Sequence, residues 1–153
     1  MKTNFQLAAM PRVAAVVLCF MLVSFSPLPG GDSYTILLNN KQVVQYYVYS
    51  KLASPSLTLD ANSPNDQLSI FYSECGQIGT ARKLSIRDDQ ARIMKEWSFA
   101  DVKDEHAPMT VKIKDLSVQA GSKVNLYYAS ERVTKGMLLA HVTMTGRENR
   151  ASR

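Results

Sequence analysis

The residues best suited to covalent chemistry are one cysteine and two histidines. Cys75 lies between Glu74 and Gly76, and a thiolate held by a neighbouring base is a nucleophile. His106 and His141 are the imidazoles that could serve as that base, although both are distant from Cys75 in sequence and neither lies in a recognisable motif. A cysteine-dependent hydrolase using Cys75 with His106 or His141 is therefore one interpretation. The simpler one is a loop cysteine without a catalytic role.

Four aromatic side chains are candidates for a binding platform. Alternation along the predicted strands places Tyr47 and Tyr49 on the outward face, and Phe71 and Tyr127 are placed outward in the same way. Aromatic side chains bury a large area at little cost in conformational entropy, so these four would suit sugar rings or a protein partner. Cross-strand pairing that only stabilises a sheet explains the same residues.

Acidic residues cluster in two predicted turns. Asp88 and Asp89 lie in a tight turn, and Asp101, Asp104 and Glu105 lie in one loop. Calcium needs about six to eight oxygen ligands, which loops at one end of a sandwich could supply together, but this spacing matches no EF-hand or repeat loop. Solvated turn residues are the favoured interpretation, because aspartate commonly forms turns. We predict no metal site and no cofactor.

The elements that must position these residues are predicted to be strands. Beyond Ser33 apolar and polar residues alternate with period two, and turn-forming groups separate the alternating segments. Asn39-Asn40-Lys41 is expected to close an opening hairpin, and a short helical turn is predicted at 115–118. The predicted strands run over 33–38, 42–49, 56–60, 67–72, 83–87, 92–97, 109–114, 124–128 and 137–144.

Eight or nine short strands joined by turns predict an all-β fold. The expected architecture is an antiparallel β-sandwich, immunoglobulin-like or jelly-roll-like in type. No linker or repeat divides residues 32–146, so a single β-sandwich domain is expected there. Such strands bury one face, and the predicted inward set is Val44, Tyr46, Val48, Leu57, Leu59, Leu68, Ile70, Tyr72, Leu84, Ile86, Val111, Ile113, Val124, Leu126 and Tyr128.

Residues 1–31 have the pattern of a secretory signal peptide. Lys2 and Arg12 precede an apolar run over 13–25, and a proline- and glycine-rich segment follows at 26–31. The run is shorter than the roughly 20 residues that a membrane-spanning helix needs. We therefore expect an exported protein, periplasmic, at the cell surface or secreted, with no stable membrane span after cleavage. The prolines leave the cleavage site undefined.

Removal of this leader changes the charge balance. The chain holds 18 basic and 13 acidic residues, and loss of Lys2 and Arg12 leaves 16 basic ones. The tail, residues 147–153, is basic and is expected to be disordered. Nucleic-acid binding is not expected, because no basic stripe is visible in the nearly neutral remainder.

The cysteine count has a similar consequence. Cys19 lies within the expected leader, so Cys75 is left without an intrachain disulfide partner. An odd cysteine in an exported protein can link two chains. A Cys75-linked dimer is therefore a further candidate.

Five short segments of the chain carry a resemblance to known proteins. They are Leu38-Asn39-Asn40-Lys41, Asn65-Asp66-Gln67-Leu68, Tyr72-Ser73-Glu74-Cys75-Gly76, Lys95-Glu96-Trp97-Ser98-Phe99-Ala100-Asp101 and Leu126-Tyr127-Tyr128. These segments resemble those of small secreted β-sandwich proteins of Gram-negative bacteria with no assigned activity. The resemblance implies a secreted β-sandwich and supplies no mechanism, so no catalytic residue is carried over from it.

Taken together, the sequence predicts an exported single-domain protein that acts as a binding or structural module. The expected partner is an unidentified protein or a glycan. Catalysis is not expected, because the sequence carries no metal-ligand cluster, no nucleophile motif and no phosphate-binding loop. The Cys75 hydrolase is the alternative.

Overall fold

The computed structural model describes residues 31–49, 52–104 and 107–146. The compact unit begins at Gly31. Within the described ranges, none of the helical segments has the length and apolar character needed to cross a bilayer.

Three of the sequence-based expectations fall outside the described residues. They are the signal peptide over residues 1–31, of which only Gly31 is described, the basic tail over 147–153, and His106 as a catalytic base. Each of them stays a prediction.

The described residues contain nine strands and one short 3₁₀ helix, which confirms the all-β prediction. Most strand ends lie within one or two residues of the predicted ones; β2 and β7 each end two residues early. The elements are β1 (Ser33–Leu38), β2 (Lys41–Tyr47), β3 (Ser56–Asp60), β4 (Gln67–Ser73), β5 (Lys83–Arg87), β6 (Ile93–Ser98), β7 (Met109–Lys112), η1 (Ile113–Leu116), β8 (Lys123–Ala129) and β9 (Met137–Thr145).

These strands form two sheets. The four-stranded sheet has the order β2-β1-β4-β7, and the five-stranded sheet has the order β3-β9-β8-β5-β6. One pair departs from the predicted antiparallel arrangement, because β3 and β9 run parallel, with Ser56 opposite His141. Parallel strands need a long connection rather than a hairpin, and residues 61–136 lie between β3 and β9.

One apolar core joins the two sheets. Inward side chains of both sheets form a single cluster, and the rings of Tyr72 on β4 and Tyr128 on β8 stack with their centroids 4.0 Å apart. Every residue of the predicted inward set is buried except Tyr46 and Val48, which are half-buried and pack against the core. The predicted core is therefore largely confirmed.

Two tight turns shape the four-stranded sheet. Asn39 and Asn40, with φ of 50° and 64°, close the β1–β2 hairpin, as predicted. After β4, Glu74 N donates to Gln77 O at 2.7 Å and Gln77 N donates to Glu74 O at 3.1 Å. Cys75 and Gly76 between them have φ of 52° and 83°, so both turns have the positive φ values of type I′ turns. We call residues 74–77 the Cys75 turn.

Candidate functional site

A groove of about 490 Å³ lies at the outer face of the four-stranded sheet. Strands β1 and β4 form its floor, and the Cys75 turn with the following Ile78 forms its wall. Its volume lies within the range of about 300–1,000 Å³ that is typical of ligand pockets. The residues that line it are Ser33, Tyr34, Thr35, Leu37, Phe71, Tyr72, Ser73, Gly76, Gln77 and Ile78.

Strand register places the side chains of the groove floor. Ser33, Thr35 and Leu37 alternate with buried residues along β1. Thr35 lies opposite Phe71 on β4, and Ser33 lies opposite Ser73. Paired residues of antiparallel strands share a face, so these five side chains form one continuous outward surface.

The groove combines an apolar surface with an absence of charge. Leu37, Phe71 and Ile78 supply apolar surface, and all three are half-buried rather than fully exposed. None of the ten lining residues carries a charge. A ligand in this groove meets an aromatic ring and neutral polar groups.

Those neutral polar groups are available to a ligand. Within the described part of the chain, no hydrogen bond uses the side chains of Ser33, Thr35 or Gln77. Ser73 Oγ accepts a hydrogen bond from Gly76 N at 3.1 Å, which leaves its own O–H free to donate. The groove therefore presents hydroxyl and amide groups that can both donate and accept.

The four aromatic candidates do not form a single platform. Tyr47 on β2 and Phe71 on β4 belong to the four-stranded sheet, and the ring of Tyr49 lies 5.8 Å from that of Tyr47. Tyr127 lies on β8 of the other sheet, where the Arg87 guanidinium sits 4.2 Å from its ring centroid. Tyr47, Phe71 and Tyr127 alternate with inward residues on their strands, and Tyr49 lies exposed beyond the end of β2. Alternation alone cannot tell which strands share a sheet.

The thiol of Cys75 has a carboxylate neighbour. Cys75 Sγ donates to Asp32 Oδ1 at 3.4 Å, and the same carboxylate accepts from Cys75 N and from Tyr72 OH, each at 3.0 Å. His141 lies on β9 of the five-stranded sheet, with Nδ1 2.7 Å from Asn125 Oδ1. The Cys75–His141 arrangement of a hydrolase gains no support from these contacts. Cys75 is a free, exposed thiol, and a Cys75-linked dimer stays a prediction.

A buried carboxylate anchors the Cys75 turn to the core. Glu74 is 2% exposed, its Oε1 accepts from Tyr128 OH at 2.8 Å, and its Oε2 lies 3.7 Å from Arg132 Nε. A Cβ at Gly79 would overlap both the Glu74 carboxylate and the Tyr128 hydroxyl. The Tyr128 hydrogen bond and the Arg132 ion pair link the turn that forms the groove wall to the rest of the fold, while Glu74 Oε2 accepts no hydrogen bond within the described residues. Tyr72 points inward on β4, and Glu74 follows it by two residues. Alternation continued past Tyr72 therefore points Glu74 inward as well, and this is the sequence signal for its burial.

Acidic side chains elsewhere stabilise turns. Asp88 Oδ1 accepts from the backbone nitrogens of Gln90 and Arg92, each at 2.9 Å, and the hydrogen bond from Arg92 N is the main reason that the pKa of Asp88 lies below its usual value. Asp101 Oδ1 accepts from Ala81 N at 2.7 Å. Among the described residues, no three His, Cys, Asp or Glu side chains form a group that could hold a metal ion.

Buried tyrosines make the stability of the fold sensitive to alkaline pH. Burial is the main cause that raises the pKa of Tyr34, Tyr72 and Tyr128, and the Asp32 and Glu74 carboxylates raise the pKa of Tyr72 and Tyr128 further. The unfolded chain loses these protons near pH 10, whereas the folded chain keeps them. Their contribution to stability is therefore fully present below about pH 10 and is lost as pH rises above it.

We expect urea unfolding midpoints to be level up to about pH 9 and to fall steeply between about pH 10 and 11. Tyr72→Phe removes one of the three raised pKa values and should reduce that fall by about a third, because each such group contributes about 1.4 kcal/mol per pH unit. Circular dichroism measured against urea at each pH checks this. An equally steep fall in the variant would contradict the assignment.

No protein-family model, curated protein or solved structure matches this chain. The case for a function therefore depends on the shape and chemistry of the groove.

Proposed function

We propose that this protein is a non-catalytic binding module whose ligand occupies the groove of the four-stranded sheet. The observation that carries the proposal is a concave, uncharged surface in which unused hydrogen-bonding side chains surround an aromatic ring. Ligand sites are commonly concave and apolar, with a few polar groups that fix orientation. The floor and wall of this groove have that composition.

A comparison of the two outer faces supports the choice of site. Solvated surfaces normally mix charges of both signs, and the five-stranded sheet has Lys83 paired with Glu96 at 3.0 Å on its surface and half-buried Arg87 over Tyr127. The groove of the four-stranded sheet has no charged lining residue. An uncharged groove with half-buried apolar side chains is expected where a ligand or partner covers it.

We further propose that the module works outside the cytosol, as a β-sandwich of immunoglobulin-like or jelly-roll-like type. The basic, apolar and turn-forming pattern of residues 1–31 supports export. Two sheets that share one core support a sandwich.

A substitution that fills the groove tests the binding proposal. Thr35→Trp places an indole on the groove floor and should abolish ligand binding without disturbing the core, because Thr35 points outward between Gln45 and Phe71. Saturation-transfer NMR would be run against cellohexaose, maltohexaose, a pectic oligogalacturonate, an uncharged decapeptide and the sugar-free detergent tetraethylene glycol monodecyl ether. We expect at least one of these probes to bind the unmodified protein and to lose at least 90% of its signal with the variant.

Thr143→Trp is the matched control, since Thr143 is a half-buried outward threonine on an interior strand of the other sheet. It should retain the full signal. Binding that survives Thr35→Trp, or the absence of binding by every probe, would contradict the proposal.

A further inference from the structure

We infer that the ligand of this groove is a neutral glycan, which it binds through Phe71, hydroxyl groups and amide groups. This inference rests on the proposed function, because it names the ligand class of the same site.

The charge of the surroundings argues against an ionic ligand. None of the lining residues is charged, and the β2 residues beside the groove, Gln45 opposite Thr35 and Tyr47 opposite Ser33, are uncharged as well. The Asp32 carboxylate lies beside the groove wall, where it accepts hydrogen bonds from Tyr72 OH and Cys75 N. An anionic or cationic group that entered the groove would lose water without gaining a counter-charge, and that is costly. The ligand is therefore neutral where it contacts the groove.

The backbone of the groove floor argues against an extended peptide. Peptides that add to a sheet use the free backbone groups of an edge strand. Strand β1 pairs with both β2 and β4 along its whole length, whereas β4 pairs with β7 only over residues 67–70. Residues 71–73 pair with β1 alone, so a strand that added to this sheet would reach only that short edge of β4. The backbone groups of β1 already serve the sheet, and recognition on this part of the groove floor is by side chains.

The side chains argue for a ligand that carries its own hydroxyl groups. An acyl chain lying over Ser33, Thr35 and Gln77 would cover polar groups that have no other hydrogen bond in the described structure. Each covered and unpaired group would cost about 1–3 kcal/mol. A sugar supplies a hydroxyl partner for each of them, because a hydroxyl both donates and accepts.

The ring of Phe71 suits the apolar C–H face of a sugar. Phe71 lines the groove and is half-buried, and the face of an aromatic ring carries partial negative charge. The C–H groups on one side of a pyranose ring are apolar and slightly positive, so they pack favourably on that face. Hydroxyl recognition and ring stacking are thus available in one groove.

A polar row on β2 extends this surface beyond the groove. Gln42 Nε2 donates to Gln45 Oε1 at 3.3 Å, and Gln45 Nε2 donates to Tyr47 OH at 3.2 Å. The ring of Tyr47, 46% exposed, lies beside that of Tyr49, which is 70% exposed. Because Tyr47 is opposite Ser33, a glycan of several sugar units can cross the strands from Phe71 to these tyrosines.

Affinity electrophoresis of the folded protein tests this inference with defined polysaccharides. The gels would contain hydroxyethylcellulose, galactomannan, glycogen or dextran as neutral probes, and alginate or polygalacturonate as anionic ones. We expect at least one neutral probe to retard the protein, and both anionic probes to leave its mobility unchanged. Phe71→Ala and Tyr47→Ala should each raise the dissociation constant for the retarding probe at least tenfold.

Tyr127→Ala, which removes an outward aromatic ring from the other sheet, should leave the retardation unchanged. Urea unfolding of each variant shows whether it is folded at the temperature of the gel. Gln45→Ala, at an exposed position, gives a second readout, with an expected loss of affinity for the retarding probe of about fivefold. Three results would overturn the inference: retardation of the protein by the anionic probes, retardation by none of the probes, or equal retardation of the unmodified protein and all its variants. The proposed function survives those results if Thr35→Trp still abolishes binding of the decapeptide or the detergent.

Discussion

Replacing Tyr128 by alanine should lower the free energy of unfolding by about 4 kcal/mol, which is within the range for a buried aromatic residue cut back to Cβ. The Tyr128 side chain is fully buried, its ring stacks on Tyr72, and its hydroxyl donates to Glu74. The substitution removes a ring from the contact between the two sheets and leaves a buried carboxylate without its donor. Chemical unfolding monitored by circular dichroism measures the loss.

Tyr128→Phe separates the two contributions. It keeps the stack with Tyr72 and removes only the donor to Glu74, so we expect a loss of about 2 kcal/mol, as for an unpaired buried acceptor. If the two variants were equally stable, or if Tyr128→Ala cost less than about 1 kcal/mol, Tyr128 would not be the contact that joins the sheets here.

Gly79→Ala should cost about 3 kcal/mol through steric overlap alone. The added methyl group would meet the Glu74 carboxylate and the Tyr128 hydroxyl, which are hydrogen-bonded to each other and buried. Gly79 does not have the positive φ that favours glycine, so backbone strain plays no part. Relief of the overlap requires Glu74 to move, and the Cys75 turn at the groove wall would move with it. We therefore expect weaker ligand binding together with lower stability.

Gly121→Ala is the control for this substitution. Gly121 has φ +84° and open space where the alanine methyl group would lie, so alanine there costs only the left-handed conformation, about 1 kcal/mol. Equal losses for the two variants would show that the packing of Gly79 against Glu74 is unimportant.

Much of the fold is predictable from the sequence because its signals are local. Strands such as β3, with buried Leu57 and Leu59 between exposed neighbours, show the period of two directly. The two asparagines of the β1–β2 turn tolerate positive φ. Strand bounds and most of the core follow from such patterns.

Features that depend on contacts between distant segments were not predictable. The interior strand β9 buries Leu139 and Ala140 in succession, so its inward face cannot be read from alternation. The parallel pairing of β3 with β9 depends on the order of strands in the sheet, and no local pattern encodes that order.

The candidate site is likewise predictable from the sequence only in part. Alternation identifies Tyr47 and Phe71 as outward, but only the order β2-β1-β4-β7 places them on one surface and leaves Tyr127 on another. The groove wall depends on the buried contact of Glu74 with Tyr128, residues separated by 54 positions. A site assembled in this way becomes visible only in three dimensions.

Amide chemical-shift mapping of the ¹⁵N-labelled protein locates its binding surface residue by residue. The protein would be titrated with an oligosaccharide from the neutral polysaccharide that retards it most in affinity electrophoresis. The largest shifts are predicted at Thr35, Phe71 and Gln77, with smaller ones continuing to Tyr47, and the amides around Tyr127 should be unchanged. Shifts centred on the outer face of the five-stranded sheet, or shifts without any localisation, would contradict the assignment of this groove as the binding site.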